Sequence, residues 1–484
     1  MEYITKGYQP EDALRYFEEI AQIPHGSYNE EAVSQYLVDF AAAHGIECYR
    51  DDLFNVFMKK PGSKGCENLP PILIQGHTDM VCEKNNDTVH DFTKDPLKLR
   101  IEDGWLKASG TTLGADNANA VVYMMALLAR NDLKHPPLEC LFTVREEVGL
   151  EGAFGFDCSR ISAKRLLNMD AGPEGYVLVS AAGGLGVTIE KPNHWIPFAG
   201  ASLALRVRGL DGGHSGSCIH QEKGNSNKIM ARVLHEIKKE CAISLINVDG
   251  GSKMNAIPRE CDVLAALPAD QLGKAVQIAK KVEAEVKAEL AVTDAGFRLE
   301  VEENPAHGDR MFCPGCSAEL IDLMYLLPYG VRTMSMEIPG LVICSVNEAV
   351  VKTEEEKVVI TMFIRSADGT IKANLGEEIC TLAEKYGASH SYYSDFPGWK
   401  YEKDSAFRQI CMDVYKKQTG KDLVIKAVHG GLECGVFKDR IPDLDIVTMG
   451  PLAMGAHTPE EKLNLASFER VWNFLVELLE TLCK

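Results

Sequence analysis

Seven residues of this chain, all histidines or acids, stand behind short apolar runs or in glycine-flanked turns. His77 and Asp79 follow Pro-Ile-Leu-Ile-Gln-Gly, and Asp116 sits in Gly-Ala-Asp-Asn. Glu146 and Glu147 follow Leu-Glu-Cys-Leu-Phe-Thr-Val-Arg, Asp170 ends Leu-Leu-Asn-Met, and His457 lies in Gly-Ala-His-Thr-Pro-Glu. Imidazoles together with carboxylates suit a pair of divalent ions, zinc first, with cobalt or manganese accepting the same donors. The chemistry implied is metal-assisted hydrolysis. Two cations a few ångströms apart need a carboxylate between them, and Asp116, in a turn before a helix, is the natural bridge. His77 and His457 would hold one ion each, with Asp170 and Glu147 completing the shells. Asp79, two residues beyond His77, is placed to fix its tautomer. Adjacent glutamates on an extended backbone point opposite ways. One of Glu146 and Glu147 can therefore ligate while the other faces the attacking water as a base.

Each fragment alone has a plainer reading. A His-x-Asp is more often structural, a Glu pair is usually solvated, and an Asp after an apolar run often caps a helix. Arg145-Glu-Glu-Val-Gly149 is odd for a surface, because it continues a buried strand. The joint pattern carries the argument.

The elements that must position these groups follow from periodicity. Helical patterning runs from Pro10 to Phe40 with a break at Ile23–Gly26, and Ser27 to Glu30 reads as a capping box. Strands are expected at 46–58, 71–75, 138–144 and 166–169, and a helix at 117–133. Strands alternating with helices imply a largely parallel sheet. Beyond Lys191 the order becomes β-α-β-β-α-β, with strands at 201–207, around 253–257, 261–266 and 297–302, and helices at 225–239 and 271–290. It partly repeats, with helices at 318–327 and 371–386 and strands at 341–350, 357–365 and 389–394. Each half places an asparagine, Asn255 or Asn347, in its first hairpin. The last stretch returns to α/β character. The expected fold is therefore α/β: a discontinuous catalytic domain with a mostly parallel sheet, 1–190 and 396–484, and an inserted α+β lid, 191–395. The lid would consist of two ferredoxin-like halves at about 200–305 and 311–395.

Composition sets the class. A chain of 484 residues exceeds one ordinary core. With 45% hydrophobic and 25% charged residues it reads as globular. A formal net charge of −19 disfavours nucleic acid. No apolar run approaches the ~20 residues of a membrane span, and the start lacks a basic-then-apolar leader. The 15 scattered cysteines read as reduced thiols, so the cytoplasm is expected. Cys313-Pro-Gly-Cys316 has the spacing of a redox motif, but it follows a polar stretch outside any compact thioredoxin-like unit. It lacks the second CxxC that a structural zinc would need.

The fragments G-H-T-D, G-A-D-N, E-E-x-G, N-M-D and A-H-T-P-E, in this order, resemble the M20 metallopeptidases over essentially the whole chain. The longer stretches Gly110–Asn117, Asp211–Gly216 and His429–Cys434 resemble the aminoacyl-histidine dipeptidase branch, the peptidase D type. The resemblance implies His77, Asp116 and Asp170 on one metal and Asp116, Glu147 and His457 on the other. It makes Glu146 the general base and Asp79 the partner of His77, and it implies a cis Asp116–Asn117 peptide. It also implies a dipeptidase in which a metal-bridging water is activated by the glutamate, with Xaa-His and other dipeptides as substrates.

The lid would add His214, in Asp-Gly-Gly-His-Ser-Gly, which the resemblance assigns to the oxyanion. In dimeric members that histidine comes from the other subunit, and a homodimer stays open here. Arg365, at a strand end, suits a clamp on a substrate carboxylate. Asn255 could hydrogen-bond the substrate, and Gly430 and Gly431 could offer backbone N–H groups, although a turn cap and plain turns explain them too. An N-acyl amino acid deacylase or a tripeptidase keeps the same metals. A non-catalytic scaffold would not need every ligand and Glu146.

Overall fold

Strands buried on both faces read as unbroken apolar runs, and Ile72–His77 and Leu138–Thr143 are buried at every position. The two pair in parallel, Ile72 opposite Leu138, and Arg165–Asn168 joins on the other side, Leu73 opposite Leu166. The computed structural model describes residues 3–484. It sets these strands inside an eight-stranded mixed sheet ordered Glu47–Arg50, Val56–Lys60, Leu138–Thr143, Ile72–His77, Arg165–Asn168, Asp445–Thr448, Tyr176–Ala181, Val424–Val428. The inner strands are parallel. Sites in such sheets lie beyond the carboxyl ends of the strands, which here are His77, Thr143 and Asn168.

The helix Ala115–Ala129 is buried along nearly its whole length. It lies so close to the strand Ile72–His77 that a Cβ on Gly76 would fall 2.2 Å from the Ala120 Cβ. Glycine at position 76 thus lets the helix start, with Asp116, reach His77. The Tyr123 hydroxyl donates to the Phe468 carbonyl at 2.7 Å, and the two rings stack at 4.3 Å. Phe468 belongs to the last helix, Leu465–Thr481, so segments on either side of the second unit in the chain pack together. A second sheet of this unit contains Trp105–Ala108, Lys462–Asn464 and Ala453–Met454, and His457 sits in the turn between the last two.

Two units emerge. One holds the chain up to Ala181 with Trp399–Ala427 and Leu432–Lys484, and the other holds Ala182–Gly398 with Val428–Gly431. The second unit is built on an antiparallel sheet. One half of it is ordered Arg298–Glu303, Ala201–Arg208, Cys261–Leu267, Ser244–Gly250, and the other Val342–Thr353, Lys357–Ser366, Gly183–Pro192, Ser389–Phe396. The halves meet where Asp249 faces Lys352 and Gly250 faces Val351. Each half is a split β-α-β-β-α-β unit, and a single core draws on the helices of both.

Three details differ from the sequence reading. The first strand of the second half is Gly183–Pro192, paired from Gly183–Ser366 to Pro192–Lys357, so this half starts well before residue 311 and the unit before residue 191. The strand expected at 253–257 is Ser244–Gly250; only Ala256–Ile257 of the expected run is extended, against Gly213–His214. Asn255 therefore does not correspond to Asn347, which lies within Val342–Thr353. The Ser27–Glu30 capping box does not form: the helix begins at Glu31 without a side-chain cap, and Ser27 bonds elsewhere, as described below. Among the described residues, no helix is long and apolar enough to cross a membrane.

Candidate metal centre

His77 closes its strand with the imidazole 1% exposed. Its Nδ1 faces Asp79, 2.9 Å from the backbone carbonyl and 3.4 Å from Oδ1. Its Nε2 is thereby aimed at Asp116 Oδ1, 3.3 Å away, and Asp170 Oδ1, 4.0 Å away. The other Asp116 oxygen lies 3.3 Å from His457 Nε2, which is also 3.0 Å from Glu147 Oε1. One carboxylate thus presents one oxygen to each imidazole. His77–Asp116–Asp170 and Asp116–Glu147–His457 each bring their ligand atoms within 4.8 Å of one another, and His77–Glu146–Glu147 forms a third such group. The Asp116–Asn117 peptide is cis. His457 takes φ +64°, a left-handed conformation uncommon outside glycine, in a turn closed by Thr458 N–H donating to the Gly455 carbonyl at 3.2 Å.

The groups behind this constellation are mostly ones the sequence did not flag. The Asp79 carboxylate accepts from the Glu146 N–H at 3.0 Å, the Glu147 N–H at 3.3 Å and the Ser27 hydroxyl at 2.8 Å. It therefore anchors the Glu146–Glu147 backbone, while the shortest contact to His77 comes from the Asp79 carbonyl. Glu461, 2% exposed, accepts from the N–H groups of Leu113 at 2.7 Å, Gly114 at 2.9 Å and Asp116 at 3.2 Å. A third buried network ties the strand ends together. Asn168 accepts from the Asp170 N–H and donates to Gln75, Gln75 donates to Thr143 and Glu433, and Thr143 donates to Glu433. Asn117 donates to the Met169 carbonyl at 3.0 Å and to Asp170 Oδ1 at 3.3 Å.

Removing a buried acceptor strands its donors, at roughly 1–3 kcal/mol for each unsatisfied group. Glu461→Ala is accordingly expected to destabilise the first unit by about 3 kcal/mol in urea unfolding. Glu461→Gln, which keeps an acceptor oxygen, should lose less. Equal stability of both variants and wild type would remove Glu461 from this role.

The donor set fits divalent cations. Asp116, Glu146, Glu147 and Asp170 converge on two imidazoles, and among the described residues no lysine or arginine pairs with any of the four. Burial, and then Asp116, push the Asp170 pKa well up. Burial opposes charge on His77, but Asp116 and Asp79 hold its pKa well above the ordinary imidazole value. Hydrogen bonds to Asp116 and then Glu147 raise His457 to about 10. Both shifts favour the protonated rings, so metal binding should expel protons. Affinity should rise with pH until the folded-state value near 10 is passed. Calorimetric titration of the metal-free chain with zinc at pH 7, in buffers of different ionisation heat, should show buffer-dependent heats. Identical heats would mean the rings are already neutral.

The family model described as peptidase family M20/M25/M40 matches residues 73–481. The chain belongs to this family. It is a peptide-bond hydrolase of the M20 type. It is 35% identical over 473 residues to the cytosol non-specific dipeptidase of Escherichia coli (strain K12), covering 97% of each chain. The crystal structure of aminoacylhistidine dipeptidase from Vibrio alginolyticus superposes with a TM-score of 0.92 at 37% identity, covering 98% of this chain and 97% of that one. The aminopeptidase PepT of Bacillus cereus, at 17% identity and a TM-score of 0.56 over 99% of this chain and 100% of that one, shares the fold alone.

The second unit of this M20 peptidase groups its own polar residues. His214 Nδ1 lies 3.2 Å from the Gly216 N–H and 3.3 Å from the Ser217 N–H and accepts from both. Burial and Arg365 lower its pKa, so the neutral ring carries its proton on Nε2. That nitrogen is 3.4 Å from Arg365 Nη2. Two donors thus face each other here. Arg365 is 6% exposed and, among the described residues, pairs with no carboxylate. Across the strands from Arg365, Ser345 lies 2.6 Å from His429 Nε2, a pair the sequence did not suggest. Asn255 is exposed, and its carbonyl, not its side chain, accepts from the Ser215 N–H at 2.8 Å. Gly431 has a packing reason to lack a side chain, since a Cβ there would sit 2.9 Å from the Phe396 ring; at Gly430 the space is open.

Proposed function

We propose that this chain is a cytoplasmic, zinc-dependent dipeptidase acting on Xaa-His and other free dipeptides. The observation that carries the metal assignment is Asp116 lying between His77 and His457, one oxygen toward each. His77, Asp116 and Asp170, and Asp116, Glu147 and His457, would hold two divalent ions, which when bound would supply a water of lowered pKa and polarise the scissile carbonyl. Glu146 then takes the water's proton and returns it to the leaving amine. Asp79 keeps Glu146 and Glu147 in place through their backbone N–H groups. His214, as a neutral Nε2–H donor, stabilises the developing oxyanion. The Arg365 guanidinium takes the free carboxylate, and its depth in the fold restricts substrates to short peptides. Asn255, Gly430 and Gly431 are assigned to the periphery of the same substrate site. The names of the relatives, a non-specific dipeptidase and an aminoacylhistidine dipeptidase, support the substrate class.

The test is a panel assayed with purified, metal-loaded chain. It includes β-alanyl-histidine, other Xaa-His and histidine-free dipeptides, their C-terminal amides, tripeptides and N-acetyl amino acids. Free dipeptides should be cleaved, and amidation should lower kcat/KM by roughly 10- to 100-fold, the value of a lost hydrogen bond to a charged group. Cleavage confined to N-acetyl amino acids would make the chain a deacylase, and a preference for tripeptides would displace the carboxylate clamp.

A further inference from the structure

We propose that Cys313 and Cys316 form a redox-active dithiol that exchanges with low-molecular-weight disulfides, separate from the peptidase chemistry. The motif Cys313-Pro-Gly-Cys316 opens the helix Pro314–Leu326. Cys313 is the N-cap, and its Sγ accepts from the Cys316 N–H at 3.3 Å. A three-residue spacing at a helix start puts both side chains on one side, and the two Sγ atoms lie 2.9 Å apart. That is short of the ~2.05 Å bond by a small side-chain movement.

The two thiols are not equivalent. Cys313 is partly exposed and Cys316 is buried. The capping sulfur is the more accessible of the two and accepts from an N–H group at the helix start, which places Cys313 as the attacking sulfur. Pro314 at the first helical position has no N–H to lose and stiffens the turn. Burial holds Cys316 as the thiol, with the Lys191 ammonium offsetting part of that cost. No third His, Cys, Asp or Glu donor joins the pair among the described residues, which argues for redox chemistry over a metal site.

The exchange balances without a further reactant. The Cys313 thiolate attacks one sulfur of a small disulfide, whose S–S bond breaks and releases one thiolate. Cys316 gives up its proton, and its sulfur attacks Cys313 in the mixed disulfide, expelling the second small thiolate. The cysteine pair loses two electrons and two protons, and the small disulfide becomes two thiols.

The experiment uses the full reduced chain, equilibrated with oxidised and reduced glutathione at set ratios, acid-quenched, alkylated and mapped by mass spectrometry. A Cys313–Cys316 cross-link, with two thiol hydrogens lost, should rise with the oxidised fraction. Cys316→Ser should accumulate glutathione on Cys313, and Cys313→Ser should leave Cys316 unmodified, circular dichroism confirming that both variants fold. If both cysteines stay alkylable at every ratio, or adducts form only at other cysteines such as the exposed Cys82, the assignment is overturned.

Discussion

Glu146→Gln is expected to lower kcat for a dipeptide by about 10³-fold, in the range that proton transfer by a placed side chain supplies, with metal content unchanged. The amide keeps the shape of the carboxylate and cannot take a proton. Its side chain, unlike that of its neighbour, is free for the role, and its backbone and surroundings suit it. Glu147 Oε1 is engaged with His457 at 3.0 Å, whereas no ion pair holds Glu146 among the described residues. The Glu146 backbone is fixed by Asp79, so its side chain works from a defined origin. Burial first, and then Asp170, Glu433 and Glu147, push its pKa well up, against the pull of His77. Steady-state kinetics alongside elemental analysis measure the effect. A variant with wild-type metal content and activity within a few-fold of wild type would move the base elsewhere.

Asp116→Ala should empty both metal positions at once, lowering affinity at each by more than about 100-fold, since even groups behind a ligand are worth 10- to 100-fold. Its two oxygens face two different imidazoles, so no other residue compensates on either side. Asp170→Ala is the contrasting variant. Of the two imidazoles its carboxylate approaches only that of His77, at 4.0 Å, and its loss should weaken one ion and spare the other. Equilibrium dialysis with metal counting distinguishes the two. Retention of one tightly held ion by Asp116→Ala would show that the sites do not share it.

The residues that converge on this centre were legible in the sequence because the physics that buries a strand also marks its end. Ile72–Ile74, Cys140–Phe142 and Leu166–Leu167 are apolar because both faces are covered, so the first acids and histidines beyond them stand at the sheet's carboxyl edge. The supporting groups carried no such mark. Gln75, Thr143 and Asn168 are isolated polar residues within largely apolar runs, and the network that joins them to Glu433 appears only when three strands lie side by side. Glu461 follows another glutamate in a turn, a context that normally means solvent, and its three N–H partners come from a segment far away in the chain. Ser27 is a plausible helix cap by local pattern; a tertiary partner, Asp79, took its hydroxyl instead. The element order of the second unit was harder to read for a topological reason. Gly183–Pro192 is an unremarkable apolar stretch beside Tyr176–Ala181, and nothing local says that its pairing partner begins at Lys357.

That long-range pairing has a consequence for biosynthesis. As the chain leaves the ribosome, Gly183–Pro192 emerges first, then the whole of the other half, and only afterwards Lys357–Ser366 and Ser389–Phe396, the strands that flank it. Until then its backbone donors and acceptors form an open template of the kind that recruits foreign strands. Chains truncated before Lys357 should therefore aggregate, whereas the half from Ala201 to Glu303 contains all four of its strands and can close by itself during synthesis.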